Sequence, residues 1–227
     1  MRDELRRTEE SSLPEPVMRR LPRYLIDAQE LKASGETWVS SVALAKALGL
    51  TSSTVRQDLS HLELEGVSKR GYEIEKLITA VTRKLGADKT YRVIIVGAGF
   101  LGSAIALHGD LARYGFEVAA VMDVDPKVIG TSVGGLQVQS MKALSRLVKQ
   151  KHIDIGIIAV PAADAQGVAE QLTAAGITAL LNLALVQLKV PEHVQVVEER
   201  IVVSLQELAY LMRTRAKEEK AMEGRNP

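Results

Sequence analysis

Six residues, Gly97-Ala98-Gly99-Phe100-Leu101-Gly102, restrict the fold of this chain more than any other stretch. They follow Arg92-Val93-Ile94-Ile95-Val96, a β-branched run suited to a strand buried on both faces of a parallel sheet. They open a segment whose apolar residues keep helical spacing as far as Tyr114. A second strand-like run, 118–125, completes a βαβ unit, and Asp123 stands near its end, 21 positions beyond Gly102. Glycines at this spacing are a weak signal alone; a strand before, a helix after and an acid beyond make it specific. The chemistry explains the residue types. Gly97 permits a tight turn, Gly99 lets the backbone approach a pyrophosphate, Gly102 lets helix and strand pack, and the helix N-terminus adds amides and partial positive charge. These six residues are therefore the candidate cofactor loop, with Asp123 on the adenosine ribose. A carboxylate there repels a 2′-phosphate, and Val124 and Asp125 bring no arginine, so the pattern favours NADH/NAD over the phosphorylated forms. A domain of this fold that holds coenzyme A, or nothing, stays open at this level.

The rest of the second half alternates in the same way. Residues 136–138 offer a short strand, 141–151 a helix, and 153–160 an apolar strand stopped by Pro161. A helix over 165–175 closes at Gly176, 177–185 is another buried run, and 194–203 reads as two short strands around Glu198-Glu199-Arg200. The alternation predicts an α/β Rossmann domain over 90–203, a doubly wound parallel sheet. Asn182 falls at the carboxyl edge of that sheet, where ligands bind, or else caps a strand end. Residues 204–222 read as a C-terminal amphipathic helix with Leu205, Leu208, Ala209, Leu211 and Met212 on its apolar side. Such a helix more often covers its own domain, yet its place after the last strand leaves it free to reach another subunit.

The first half has a different texture. Residues 1–15 are a charged lead-in of flexible character, and 16–86 form a small helical domain. A first helix runs over 17–31, with Pro22 in a first turn or at a kink. Ser40 and Ser41 cap a short helix ending at Gly49, and the Thr51–Thr54 segment caps a third whose stripe Val55, Leu59, Leu62 runs to about Leu64. A hairpin-sized tip at 66–72 and a helix over 74–85 complete it. Helix, tight turn and helix place Ser53, Thr54, Arg56, Gln57 and Ser60 where side chains enter a major groove, and Arg and Gln suit bidentate contacts to bases. Lys69 and Arg70 at the tip suit phosphates or a narrow minor groove. Asp58, Glu63 and Glu65 restrict such contact to the first half of the third helix. Residues 16–90 carry 12 basic against 9 acidic side chains, so an interaction module of the same shape competes with this reading.

Composition removes other classes. With no cysteine there are no disulfides, thiolate metal sites or cysteine nucleophiles, and a net charge of +1 gives no global steering to nucleic acid. No apolar run has membrane-spanning length, and the N-terminus is charged, which reads as a cytoplasmic protein without a membrane partner. His61 reads as a packing residue, His152 and His193 as surface residues, and His108, two turns past the glycines, as a solvated or cleft-facing one. No histidine spacing suits a metal, and no Ser/His/Asp order can be defended. A small NAD-dependent oxidoreductase is the enzymatic alternative, but no substrate domain follows the last strands, so the chain is read as not an enzyme.

Over nearly its whole length the chain resembles the Rex family of redox-sensing transcriptional repressors. The matching stretches are 39–60 (VSSVALAKALGLTSSTVRQDLS), 70–72, 96–102, 122–130 (MDVDPKVIG), 158–172 (IAVPAADAQGVAEQL), 174–191 and 205–210. The resemblance implies an N-terminal winged helix on double-stranded operator DNA with an inverted repeat, and a Rossmann domain binding NADH/NAD. Val124, Lys127, Val160, Pro161 and Asn182 join the glycine loop and Asp123 as cofactor residues. It also implies a homodimer through the C-terminal helix, exchanged between subunits, and release of DNA by NADH. The chain departs from the family pattern at His61-Leu62, Leu107-His108, Leu183-Ala184-Leu185, Glu199-Arg200 and Arg70-Gly71-Tyr72. Arg200, where an aspartate is usual, changes the local charge by about two units.

Overall fold

The computed structural model describes the backbone of residues 13–223 and the side chains of residues 13–215. Most of the expected lead-in, residues 1–12, lies outside the described residues. The chain divides into two compact units, one ending at Lys89 and the other beginning at Thr90.

In the first unit, α1 (Glu15–Ala33) packs on α4 (Ile74–Leu85), and α2 (Ser41–Leu48) packs on α3 (Ser52–Ser60). The caps form as the sequence predicts. Ser40 Oγ accepts the Ala43 N–H, Thr51 Oγ1 accepts the Thr54 N–H, and Gly49 ends α2 in the left-handed conformation. Pro22 sits beyond the first turn of α1 on the exposed side. α3 stops at Ser60, short of the expected Leu64: the Ser60 hydroxyl donates to the Gln57 carbonyl, and Glu63 takes a positive φ. Leu62 still reaches the core, alongside Leu21, Tyr24, Leu44, Val55, Leu59 and Leu77. A small wing closes the unit, with β1 (Trp38–Val39) antiparallel to β2 (Tyr72–Glu73) and a single bridge between Val67 and Gly71 below the tip. Gly71 is obligatory there. Its φ is +94°, and a Cβ would stand 2.2 Å from the Val39 carbonyl oxygen.

In the second unit, six parallel strands run in the order β10 (Gln195–Glu198), β9 (Ala179–Asn182), β8 (Ile155–Ile158), β3 (Tyr91–Val96), β4 (Phe116–Asp123), β7 (Gln139–Ser140). The chain moves outward from β3 to one side through β4 and β7, then returns to β8 and moves to the other, so the order reverses between β3 and β8. Ile94, Val96, Met122 and Ile158 pack on one face with Leu144, Leu147, Val168 and Leu172; Val93, Ile95 and Ile157 pack on the other. The flanking helices are α5 (Phe100–Ala106), α6 (Leu144–Lys151) and α7 (Ala162–Ala174), and a small hairpin joins β5 (Ser132–Val133) to β6 (Leu136–Gln137).

Two further expectations are corrected. The helix after the glycines ends at Ala106, and a 3₁₀ segment, Gly109–Tyr114, replaces its second half, so His108 precedes that segment instead of lying inside a helix. The second of two strands expected within 194–203 is absent, because Ile201 to Val203 begin α8 (Ile201–Glu223). The C-terminal helix is present as expected, and its own domain leaves its apolar side uncovered: Ile201, Leu205, Leu208, Tyr210, Leu211 and Met212 are all more than half exposed.

Candidate functional site

The cleft of the second unit is built at the carboxyl ends of β3, β4 and β8. The Gly97 N–H donates to the Met122 carbonyl and the Ala159 N–H to the Val96 carbonyl, which brings the three strand ends level. Gly97 then turns with φ +103°, where a Cβ would meet the Ala159 carbonyl oxygen at 2.3 Å; at Gly102 a Cβ would fall 1.8 Å from the Gly97 carbonyl oxygen. Both glycines are required by the fold. Gly99 is different, because its backbone is extended and a Cβ there would meet no atom of the chain within 4 Å. Its missing side chain leaves open space in the cleft wall.

Asp123 ties the loop down. Its Oδ2 accepts the Ala98 N–H at 2.7 Å, and its Oδ1 accepts the N–H groups of Val124 and Asp125 at 2.7 and 2.9 Å. The Asp125 carboxylate accepts the Lys127 N–H. The cleft encloses about 460 Å³, within the range of small-molecule sites, and its walls include Gly97, Gly99, Asp123, Val124, Val160 and Pro161. Asp123 and Asp164 are its charged lining residues, and none is cationic. Carboxylate acceptors of that kind fit the hydroxyls of a neutral sugar edge and repel a phosphate beside Asp123. An open Gly99 beside the loop's backbone fits a group that approaches the main chain closely.

The other cofactor candidates lie elsewhere. Ala98 is buried under the loop and Gly102 packs inward, while Phe100 is fully exposed and Leu101 nearly half exposed. Lys127 has an exposed side chain outside the cleft lining. Asn182 has the geometry of the strand-end cap, one of its two readings: it is wholly buried, its Nδ2 donates to the Val186 carbonyl at 2.7 Å, and its Oδ1 accepts the Ala184 N–H at 3.0 Å. Its role in this structure is to close the turn after β9. Arg200 pairs with Glu198, leaving its buried Nε without a partner. Among the described residues no group of acidic or histidine side chains could hold a metal ion.

In the first unit, Ser53, Arg56, Gln57 and Ser60 share one exposed face of α3, at spacings of three and four. Arg56 makes a single 3.3 Å bond to Ser41 Oγ and is otherwise free to extend. Thr54 belongs to the cap instead, its hydroxyl 2.8 Å from that of Thr51. Lys69 is exposed at the wing tip with φ +62°, and the Arg70 guanidinium stacks on Trp38 at 4.0 Å, so one cation is loose and the other held.

From sequence, Asp58, with Glu63 and Glu65, is expected to restrict contact to the first half of α3. Asp58 itself is 2% exposed, gripped by Arg20 through two bonds of 2.6 and 2.7 Å and by the Tyr24 hydroxyl at 2.8 Å. Burial and the Asp58 carboxylate push the Tyr24 phenol well above its ordinary range. The bonds lock α3 onto α1 and fix which face of α3 looks outward. The signal was present in the sequence: Asp58 shares the stripe Val55, Leu59, Leu62 at spacings of three and four, where a carboxylate must find a buried partner.

A winged helix with a polar, cation-bearing exposed helix face, joined to a Rossmann domain whose cleft suits a nucleotide, defines the class of nucleotide-responsive DNA-binding regulators. A family model described as "CoA binding domain" matches residues 88–186, and one described as "Putative DNA-binding protein N-terminus" matches residues 12–60. The redox-sensing transcriptional repressor Rex of Streptomyces coelicolor is 40% identical over 97% of this chain and 85% of its own length; that of Syntrophomonas wolfei is 36% identical over 88% and 95%. The crystal structure of RSP, a Rex-family repressor, superposes with a TM-score of 0.83 at 33% identity, covering 94% of this chain and all of the other. RSP bound to NAD⁺ and operator DNA gives 0.81. The chain belongs to the Rex family of redox-sensing transcriptional repressors.

Proposed function

We propose that this protein represses transcription according to the NADH/NAD balance, binding operator DNA through Ser53, Arg56, Gln57, Ser60, Lys69 and Arg70 and the dinucleotide in the Gly97–Asp123 cleft. The observation that carries the reading is the division of the three glycines. Gly97 and Gly102 satisfy the chain's own packing, whereas a Cβ at Gly99 would meet no atom of the chain and would project where a group entering the cleft must pass. RSP has been crystallised with NADH and with NAD⁺ plus operator DNA, and the relatives are named as repressors, which supports regulation over catalysis.

The finer features follow by the same reasoning. A homodimer joined by α8 gives its uncovered apolar residues a partner, and two winged helices related by a two-fold axis read an inverted repeat. Release of DNA by NADH needs only that the dinucleotide favour a dimer whose recognition helices no longer match both half-sites; no chemical step is involved. Among the described residues no helix is long and apolar enough to cross a membrane, and the reading places the protein in the cytoplasm with the chromosome. The direct test is titration of the purified protein with NADH, NADPH and coenzyme A, followed by nucleotide fluorescence or calorimetry. NADH binding far tighter than the other two supports the reading. Tight coenzyme A binding that NADH does not displace would overturn it.

A further inference from the structure

A second glycine in the cleft lacks any reason within the chain. Gly167 lies in the middle of α7 with ordinary helical backbone, and a Cβ there would meet nothing within 4 Å. Glycine at such a position weakens a helix relative to alanine, so the fold alone favours a side chain. Yet Gly167 lines the same cleft as Gly99, Asp123 and Val124. Its neighbours on that face of α7 are Asp164 one turn before and Gln171 one turn after, both also in the lining, and Gln171 folds back to donate to the Gly167 carbonyl instead of reaching across. The helix therefore presents a bare strip of backbone between two polar side chains.

We infer that Gly167 determines which nucleotide base the cleft accepts, by leaving a flat, side-chain-free wall against which the base of the adenosine half lies. This rests on the dinucleotide reading above. Asp123 is the ribose residue in that reading, the base is bonded to the same ribose, and the next residue, Val124, is a largely exposed apolar side chain on the cleft. A planar ring held between an apolar side chain and helix backbone needs a gap that any side chain at 167 would narrow.

The experiment compares the wild-type full-length protein with Gly167→Ala and Gly167→Leu. Ligand-free melting temperature, NADH affinity by fluorescence, AMP affinity by calorimetry and operator binding without nucleotide are measured for each. Both variants are expected to fold, with the melting temperature of Gly167→Ala rising by about 1–3 °C. NADH binding weakens modestly in Gly167→Ala and by about tenfold or more in Gly167→Leu. AMP binding falls by the same factor, because the loss lies at the base, and operator affinity does not change. Unchanged NADH and AMP affinity in Gly167→Leu would overturn the inference while leaving the dinucleotide reading intact. Failure of the wild type itself to bind NADH would overturn that reading, and this inference with it.

Discussion

The two units prepare their working surfaces in opposite ways. The winged helix presents a convex row of side chains, and a buried charge behind the row sets its direction: Asp58, gripped by Arg20 and Tyr24, fixes α3 so that Ser53, Arg56, Gln57 and Ser60 face outward. The Rossmann unit presents a concavity that depends on missing side chains: Gly97 and Gly102 let strand, turn and helix pack, and Gly99 leaves the cleft wall open. In one unit the active groups are what the sequence adds, and in the other what it leaves out. The first design is vulnerable to deletion of a side chain, and the second to the addition of one.

The largest effect that sharpens this contrast comes from adding a methyl group. Gly102→Ala forces a Cβ onto the Gly97 carbonyl oxygen and is expected to unfold or grossly distort the second unit, whereas Gly99→Ala, with no atom in its way, keeps the native melting profile and loses only the nucleotide response. Calorimetric melts with NADH titrations separate the two; equal stability of both variants would break the distinction. Next comes removal of a carboxylate. Asp58→Ala leaves Arg20 and Tyr24 without their buried partner and is expected to destabilise the first unit by about 3 kcal/mol, read from urea unfolding by the fluorescence of Trp38, the single tryptophan. A loss below about 1 kcal/mol would mean that the ion pair does not orient α3.

Arg56→Ala removes an exposed side chain with one weak bond, so it should leave folding alone and cost about 1–3 kcal/mol of operator binding, with discrimination against scrambled DNA reduced. Undiminished discrimination would place recognition elsewhere. The smallest effect is one of pH. Burial, then the bond to Asp58, raises the Tyr24 pKa above its ordinary 10, and burial raises that of Tyr72 in the same direction. A phenol held neutral in the fold contributes stability that is complete below pH 10 and is lost as pH climbs above it, where the unfolded chain's phenols ionise first. The urea midpoint of the first unit should therefore fall above pH 10, and Tyr24→Phe should fall less steeply. Parallel slopes for the two proteins would contradict this.

Much of the architecture was legible because it rests on local rules. The glycine loop, the caps at Ser40 and Thr51, the stop at Gly49 and the alternation of strands and helices are all written in consecutive residues. What was hidden depends on partners distant in sequence. The grip on Asp58 was hidden because its partners Arg20 and Tyr24 lie 38 and 34 positions away. Asn182 stayed open between a ligand residue and a strand-end cap because nothing in its strand announces that Ala184 and Val186 engage both ends of its amide. Helical spacing extends past Ala106, yet the backbone tightens to a 3₁₀ segment there, a change that side-chain periodicity does not encode. The apolar stripe of α8 serves equally well to cover its own domain or to reach another subunit, so only the family resemblance pointed to its being uncovered.

The central claim is that the cleft and the recognition face are linked, so that nucleotide bound at one changes affinity at the other. Fluorescence anisotropy of a labelled inverted-repeat DNA, selected by the protein itself and titrated at fixed salt with NADH and separately with NAD⁺, tests it most directly. The account predicts release of DNA by NADH at far lower concentration than by NAD⁺, with Gly99→Ala bound to DNA but unresponsive. Equal action of the two nucleotides, or release of Gly99→Ala by NADH as readily as the wild type, would contradict it.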